Sequence, residues 1–178
     1  MLVIMIHLAF SAHVLPETSG DAPVPFPHFP DRVHAFVWRN WDLVPVERMA
    51  EVLGTTPDNV CEIGHRMGLV GSPNIPKEIQ DRAYITVIRR NWHLLPFAQL
   101  TQLLGWTDEQ LAYTLREDDF LYIKLGSKKP LCEPLRYSPP NETVMQRAER
   151  IATVLRESFP DGLGAPDEAL FSFVEDLS

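Results

Sequence analysis

Residues 39–56 read RNWDLVPVERMAEVLGTT, and residues 90–107 read RNWHLLPFAQLTQLLGWT. At one constant offset, eight of the eighteen positions are identical: Arg39/Arg90, Asn40/Asn91, Trp41/Trp92, Leu43/Leu94, Pro45/Pro96, Leu53/Leu104, Gly54/Gly105 and Thr56/Thr107. Self-similarity at such a period marks one supersecondary unit used twice.

Each copy reads as three short helices. Val33, Phe36, Val37 and Trp41 fall at i, i+3, i+4 and i+8, and Tyr84, Val87, Ile88 and Trp92 repeat that spacing. This is the periodicity of a helix with one buried face. The run Tyr84–Ile88 is rich in β-branched residues and on propensity alone suggests a strand. The matching register of the first copy decides for helix. Pro45 and Pro96 suit the first turn of a second helix, where a missing amide costs nothing. Its buried stripe is Val46, Met49, Val52 and Leu53, and in the other copy Phe97, Leu100, Leu103 and Leu104. Gly54 and Gly105 close these helices, because glycine tolerates the left-handed conformation of a C-cap. Thr56 and Thr107 then cap a third helix, with Pro57 opening it in one copy and a Thr107/Gln110 capping box in the other. The third helix turns Val60, Ile63, Gly64 and Met67 inward, as do Leu111 and Leu115 in the second copy.

Helix, glycine turn, helix is the helix-turn-helix motif. The stretch Leu43–Thr56, continued through Gly68 and Leu69, resembles the trihelical helix-turn-helix of Myb-like and homeodomain-like domains. The likeness covers residues 32–70 and, less fully, 83–121. It implies an all-α fold of two tandem trihelical units plus a C-terminal helix. The stretches around Trp38–Trp41 and Ile88–Pro96 also look like N-terminal regions of large bacterial proteins with a downstream glycosidase-like part. That likeness implies an accessory region of a larger carbohydrate-active enzyme and carries no catalytic residue onto this chain.

The expected organisation is an apolar N-terminus and proline-rich linker (1–30), unit one (31–70), a linker (71–80), unit two (81–125), a connector (126–140), and a C-terminal helix with an acidic tail (141–178). Residues 1–12 are apolar but too short to span a bilayer. No Lys or Arg precedes them, so the basic n-region of a secretory signal is missing, which favours a cytoplasmic over a secreted chain. Five prolines between Pro16 and Pro30 exclude helix and central strand and predict an extended linker. Leu121–Leu125 alternates apolar and polar-tipped residues and suggests a short strand or arm. Asn141 can cap a last helix with Val144, Ala148, Ile151, Ala152 and Leu155 on one face, stopped by Pro160 and Gly162. The chain ends just after Phe171–Val174, an apolar cluster that reads as a docking tail or as the edge of a longer protein.

The 178 residues carry a formal charge of -8. A recognition helix needs Lys and Arg for phosphates. Residues 31–70 hold six acids against four Lys/Arg, and residues 81–130 hold six against seven. Charge therefore disfavours DNA and favours a protein partner or a downstream domain. The residues expected to contact nucleic acid or a partner are Arg39, His65, Arg66, Arg89, Arg90, Trp106, Arg116, Lys128 and Lys129. Of these, Arg39, Arg89, Arg90, Lys128 and Lys129, with Lys124, suggest a basic patch.

No catalytic, cofactor or metal site is expected. Cys61 and His65 share a helix face, but no second Cys/His pair completes a zinc set, and Cys132 stands alone. The acids Glu117, Asp118 and Asp119 point in different directions on a helix and read as a helix end paired with Arg89, Arg90 or Lys124. No phosphate-binding loop, dinucleotide fingerprint or nucleophile elbow occurs. Trp38 and Trp106 fall off the shared stripe and are the better candidates for an exposed contact. The sequence thus predicts a non-catalytic interaction or scaffold module. A DNA-binding regulator and the enzyme-accessory region are its alternatives.

Overall fold

A computed structural model describes residues 14–71, 73–118, 120–160 and 162. The expectations for residues 1–12, Asp119 and the cluster Phe171–Val174 lie outside these. The protein is all-α. Three helices form the first set: α1 (Arg32–Asn40), α2 (Val46–Leu53) and α3 (Pro57–Arg66). Then come α4 (Lys77–Arg82) and a second set, α5 (Tyr84–Asn91), α6 (Phe97–Leu104) and α7 (Asp108–Glu117). One turn of helix, α8 (Leu121–Lys124), and the long α9 (Glu142–Ser158) complete the helices among the described residues. The only paired strands among the described residues are two-residue pieces, β1 (Thr18–Ser19) and β2 (Lys129–Pro130), in parallel register Thr18↔Lys129.

The caps sit where the sequence puts them. Gly54 and Gly105 end α2 and α6 at φ +67° and +69°, a region costly for any residue with a Cβ. The Thr56 and Thr107 hydroxyls accept from the Asn59 and Gln110 amides, and Gln110 reaches back to the Thr107 amide at 2.8 Å. Asn141 caps α9 through the Val144 amide. Pro45 and Pro96 stand one position earlier than expected, as the extended N-cap residues themselves.

Four expectations change. The expected 71–80 linker is interrupted by α4, which starts after Pro76, runs on to Arg82 and buries none of its residues. Leu121–Lys124 is helical because Leu121 must reach the core, where it is 1% exposed. The proline-rich segment is extended but lies on the body: Arg147 of α9 donates to the Pro27, Phe29 and Pro30 carbonyls, and β1 pairs with β2. The two tryptophans also part company. Trp92 is 1% exposed, whereas Trp41 is half-buried, flat against Gly64, with its indole donating to the Val70 carbonyl at 3.1 Å.

One continuous core runs through both sets, from Phe36, Met49 and Ile63 to Ile88, Leu100 and Leu111, and on to Leu135 and Ala148. The sets join through α1 against α5 and α2 against α6. At the α1–α5 contact, the residues shared by the two sequence copies face each other. Asn40 and Asn91 are fully buried and exchange amide hydrogen bonds at 3.0 and 2.7 Å. Each also donates back to its own helix, to the Phe36 and Val87 carbonyls. Arg39 Nε donates to the Arg90 carbonyl, and an Arg90 guanidinium nitrogen donates to the Arg39 carbonyl, both at 2.7 Å. Buried amides demand partners, and here each copy supplies the other's. The doubled Arg-Asn motif is thus a reciprocal clasp that welds two helical sets into one body.

Candidate functional site: an aromatic cleft beside the clasp

The clasp carries the C-terminal end of α1 to the protein surface. A cleft of about 570 Å³ opens there, lined by Phe29, Trp38, Arg39, Trp41, Asp42, Leu69, Val70 and Arg90. Phe29 comes from the proline-rich segment, held by Arg147. Its ring lies 5.9 Å from that of Trp38. The 69–70 loop turns back because Gly68, at φ +86°, lies against Ala152 and Leu155 of α9. His65 stands edge-on to Trp41 at 5.8 Å, and its Nε2 lies 2.7 Å from the Gly71 carbonyl. That carbonyl can only accept, so the proton belongs on Nε2. A second cleft of about 620 Å³ shares Trp38 as a wall and adds Arg147, Arg150, Ile151, Val154 and Leu155. Val70 on the first cleft and Val154 on the second are 80% and 53% exposed.

The electrostatics of the first cleft oppose those of the whole chain. Two guanidiniums line it against one carboxylate, in a protein of net charge -8. Asp42 pairs with Arg90 at 2.7 Å. Arg39 stands over the Phe26 ring at 5.1 Å. Burial, and then the neighbouring Arg90 charge, lower the Arg39 pKa from its ordinary value. Such a guanidinium gains from an incoming anion.

The structure brings only some of the expected contact residues together. Arg39 and Arg90 share the cleft, with much of their bonding capacity held by the clasp. His65 is at its margin, behind Trp41. Arg66 is tied to Glu62 at 2.8 Å and lies 3.7 Å from Glu149 of α9. Arg89 is exposed. Trp106 is half-buried, with its ring 5.4 Å from Tyr84, and walls a separate shallow cleft with Glu109 and Tyr113. Arg116 pairs with Glu117, and Lys128 with Asp21. Asp118 accepts from the Tyr84 hydroxyl at 2.7 Å, a bond that raises the Tyr84 pKa. Lys129 is a correction, because it is 0% exposed and cannot belong to a basic patch. Its amine donates to the Trp92, Leu95 and Pro130 carbonyls, 3.4 Å from the Cys132 sulfur, with the Trp92 and Phe97 rings nearby. Burial lowers its pKa, and Cys132 opposes that shift. Carbonyls left free where the chain turns after α5 offset part of the cost of burying that charge.

No group of three or more His, Cys, Asp or Glu among the described residues is placed to hold a metal ion. No helix among them is long and apolar enough to cross a membrane. Sequence reasoning missed Phe29 and Val70, which reach the cleft from loops, but its off-stripe tryptophan Trp38 is the central wall. Comparison of the chain with protein-family models, with curated proteins and with solved structures finds no match.

Proposed function

We propose that this chain is a non-catalytic interaction module, built from two trihelical helix-turn-helix-like copies fused back to back, whose working surface is the aromatic cleft. One observation carries this reading. The arginines that would best serve phosphate contacts, Arg39 and Arg90, hold the two copies together and face a cleft lined by Phe29, Trp38 and Trp41. Concave, mostly apolar surfaces with a few placed charges are the usual form of a binding site.

The DNA-binding alternative loses support at both third helices. In the Myb-like resemblance, α3 would enter the major groove. Here α3 packs against α9, and Arg66 is engaged by Glu62 and Glu149. The N-terminal turns of α3 and α7 carry Asp58 and then Asp108 and Glu109, where a groove-reading helix meets phosphate. The test is anisotropy of a labelled DNA duplex at low and at moderate salt. The module reading expects no saturable binding at either. Saturable binding that falls steeply with salt would move the assignment to a DNA-binding regulator.

A further inference from the structure

The two sequence copies offer an internal comparison of the same tryptophan, once covered and once open. Around Trp92 the surface is closed by the chain itself. Its indole donates to the Lys128 carbonyl at 2.8 Å, and the extended run through β2 lies across it, with the Lys129 amine 5.3 Å from its ring. Around Trp41 the Val70 carbonyl likewise accepts the indole N–H, at 3.1 Å, but the chain that supplies it is left open to solvent. Val70, which matches Leu121 at the offset of the copies, is 80% exposed where Leu121 is 1% exposed. The covering piece in the second copy is extended, brings two cations, Lys128 and Lys129, and is anchored by polar contacts beside a ring. Beside the open copy the cleft rim holds Arg39 and Arg90 against the single carboxylate of Asp42, so it calls for a charge of the opposite sign.

We infer that the Trp38–Trp41 cleft takes an extended, acidic peptide segment of a partner protein, seating an aromatic or large aliphatic side chain between Phe29, Trp38 and Val70 and a neighbouring carboxylate on Arg39 and Arg90. This rests on the module reading above and names the chemistry of its partner. Charge selects the occupant. A basic or neutral apolar segment would leave the second guanidinium uncompensated beside desolvated rings, whereas a carboxylate can accept a forked pair of bonds from an arginine. Tryptophan and arginine together also form the composition in which binding energy concentrates.

The test uses the full chain and the blocked peptide Glu-Asp-Phe-Ala-Leu-Asp-Glu. Binding is followed by tryptophan emission and by the indole N–H signals of Trp38 and Trp41. Saturable binding that shifts these two signals and spares that of Trp92 is expected. A twin with Lys for each acid, and one with Ala for Phe and Leu, should each bind at least about tenfold more weakly. Trp38→Ala should weaken binding about tenfold or more. Two exposed changes guard against simple misfolding: Val70→Glu should weaken it about threefold, and Asp42→Asn, which releases Arg90, should tighten it about threefold. Equal binding of the lysine twin, or unchanged affinity in Val70→Glu and Asp42→Asn together, overturns the inference. So does a mass that doubles with concentration while the peptide stays unbound, which would make a second copy the occupant. Binding seen only once Phe171 and Phe173 are replaced by Ala would assign the cleft to the chain's own residues and also overturn it. Failure of the peptide without duplex binding removes this partner chemistry and leaves the module reading intact. Duplex binding removes the module reading itself.

Discussion

Replacing Asn91 by Ala tests the clasp at its centre. Asn40 and Asn91 are 0% exposed, so no water replaces a lost bond. The substitution removes the two amide bonds between the helices and strands the Asn40 Oδ1 and one of its N–H groups. A buried polar group left without a partner costs about 1–3 kcal/mol, so two of them cost about 3 kcal/mol. Asn40→Ala should cost the same. The double replacement strands neither partner side chain and should therefore cost about 3–4 kcal/mol rather than the summed 6, a coupling of about 2 kcal/mol. Urea unfolding followed by helical ellipticity reads this directly. With a slope of about 2 kcal/mol per molar, each single variant should lower the midpoint by about 1.5 M and the double by little more. Single costs under about 1 kcal/mol, or costs that simply add, would show that the two amides do not satisfy each other.

Three further perturbations probe other joints. Lys129→Met keeps the bulk but strands the Trp92, Leu95 and Pro130 carbonyls, so unfolding should become easier by about 2 kcal/mol at neutral pH. An amine whose folded pKa lies below its ordinary 10.5 burdens the fold while both states are protonated. That burden fades as pH rises through the folded value, so wild type should gain stability with pH there and Lys129→Met should lack that gain. His93 Nδ1 accepts from the Val24 amide, and burial, then Lys129 and Arg39, lower the His93 pKa below 6.5. The neutral ring is therefore favoured in the fold, and stability is lost as pH falls from 6.5 through the folded value. Hydrogen-exchange protection at Val24 should collapse over that window and stay level in His93→Gln. Gly64→Ala places a methyl inside the Trp41 ring, which should cost about 2–3 kcal/mol and shift tryptophan emission to the red.

What the sequence revealed was local, and what it concealed was long-range. Gly54, Gly105, Thr56 and Thr107 act on neighbours within four residues, so their caps could be read from spacing. Trp38 was legible as a residue off the buried stripe. The clasp was not, because Arg39 and Arg90 look like solvated cations until α1 and α5 meet across 51 residues. Lys129 misleads for the same reason: two of its carbonyl partners, Leu95 and Trp92, lie 34 and 37 residues away, in the turn after α5. The alternation in Leu121–Leu125 suggested a strand, but a single turn of helix buries Leu121 with less chain. The segment Pro76–Arg82 held a legible start signal, a proline ahead of a charged run. Its lack of any buried stripe hid α4 within a linker.

The two facing amides are the joint on which the clasp and the cleft beside it depend. In a fully labelled sample, nuclear Overhauser transfer between the Asn40 and Asn91 side-chain amide protons measures their contact directly. Strong mutual transfer and slow exchange of these protons with water are expected. Absent transfer, with both amides exchanging as fast as exposed ones, would mean that the two copies are not clasped and that the cleft beside them is not built as described.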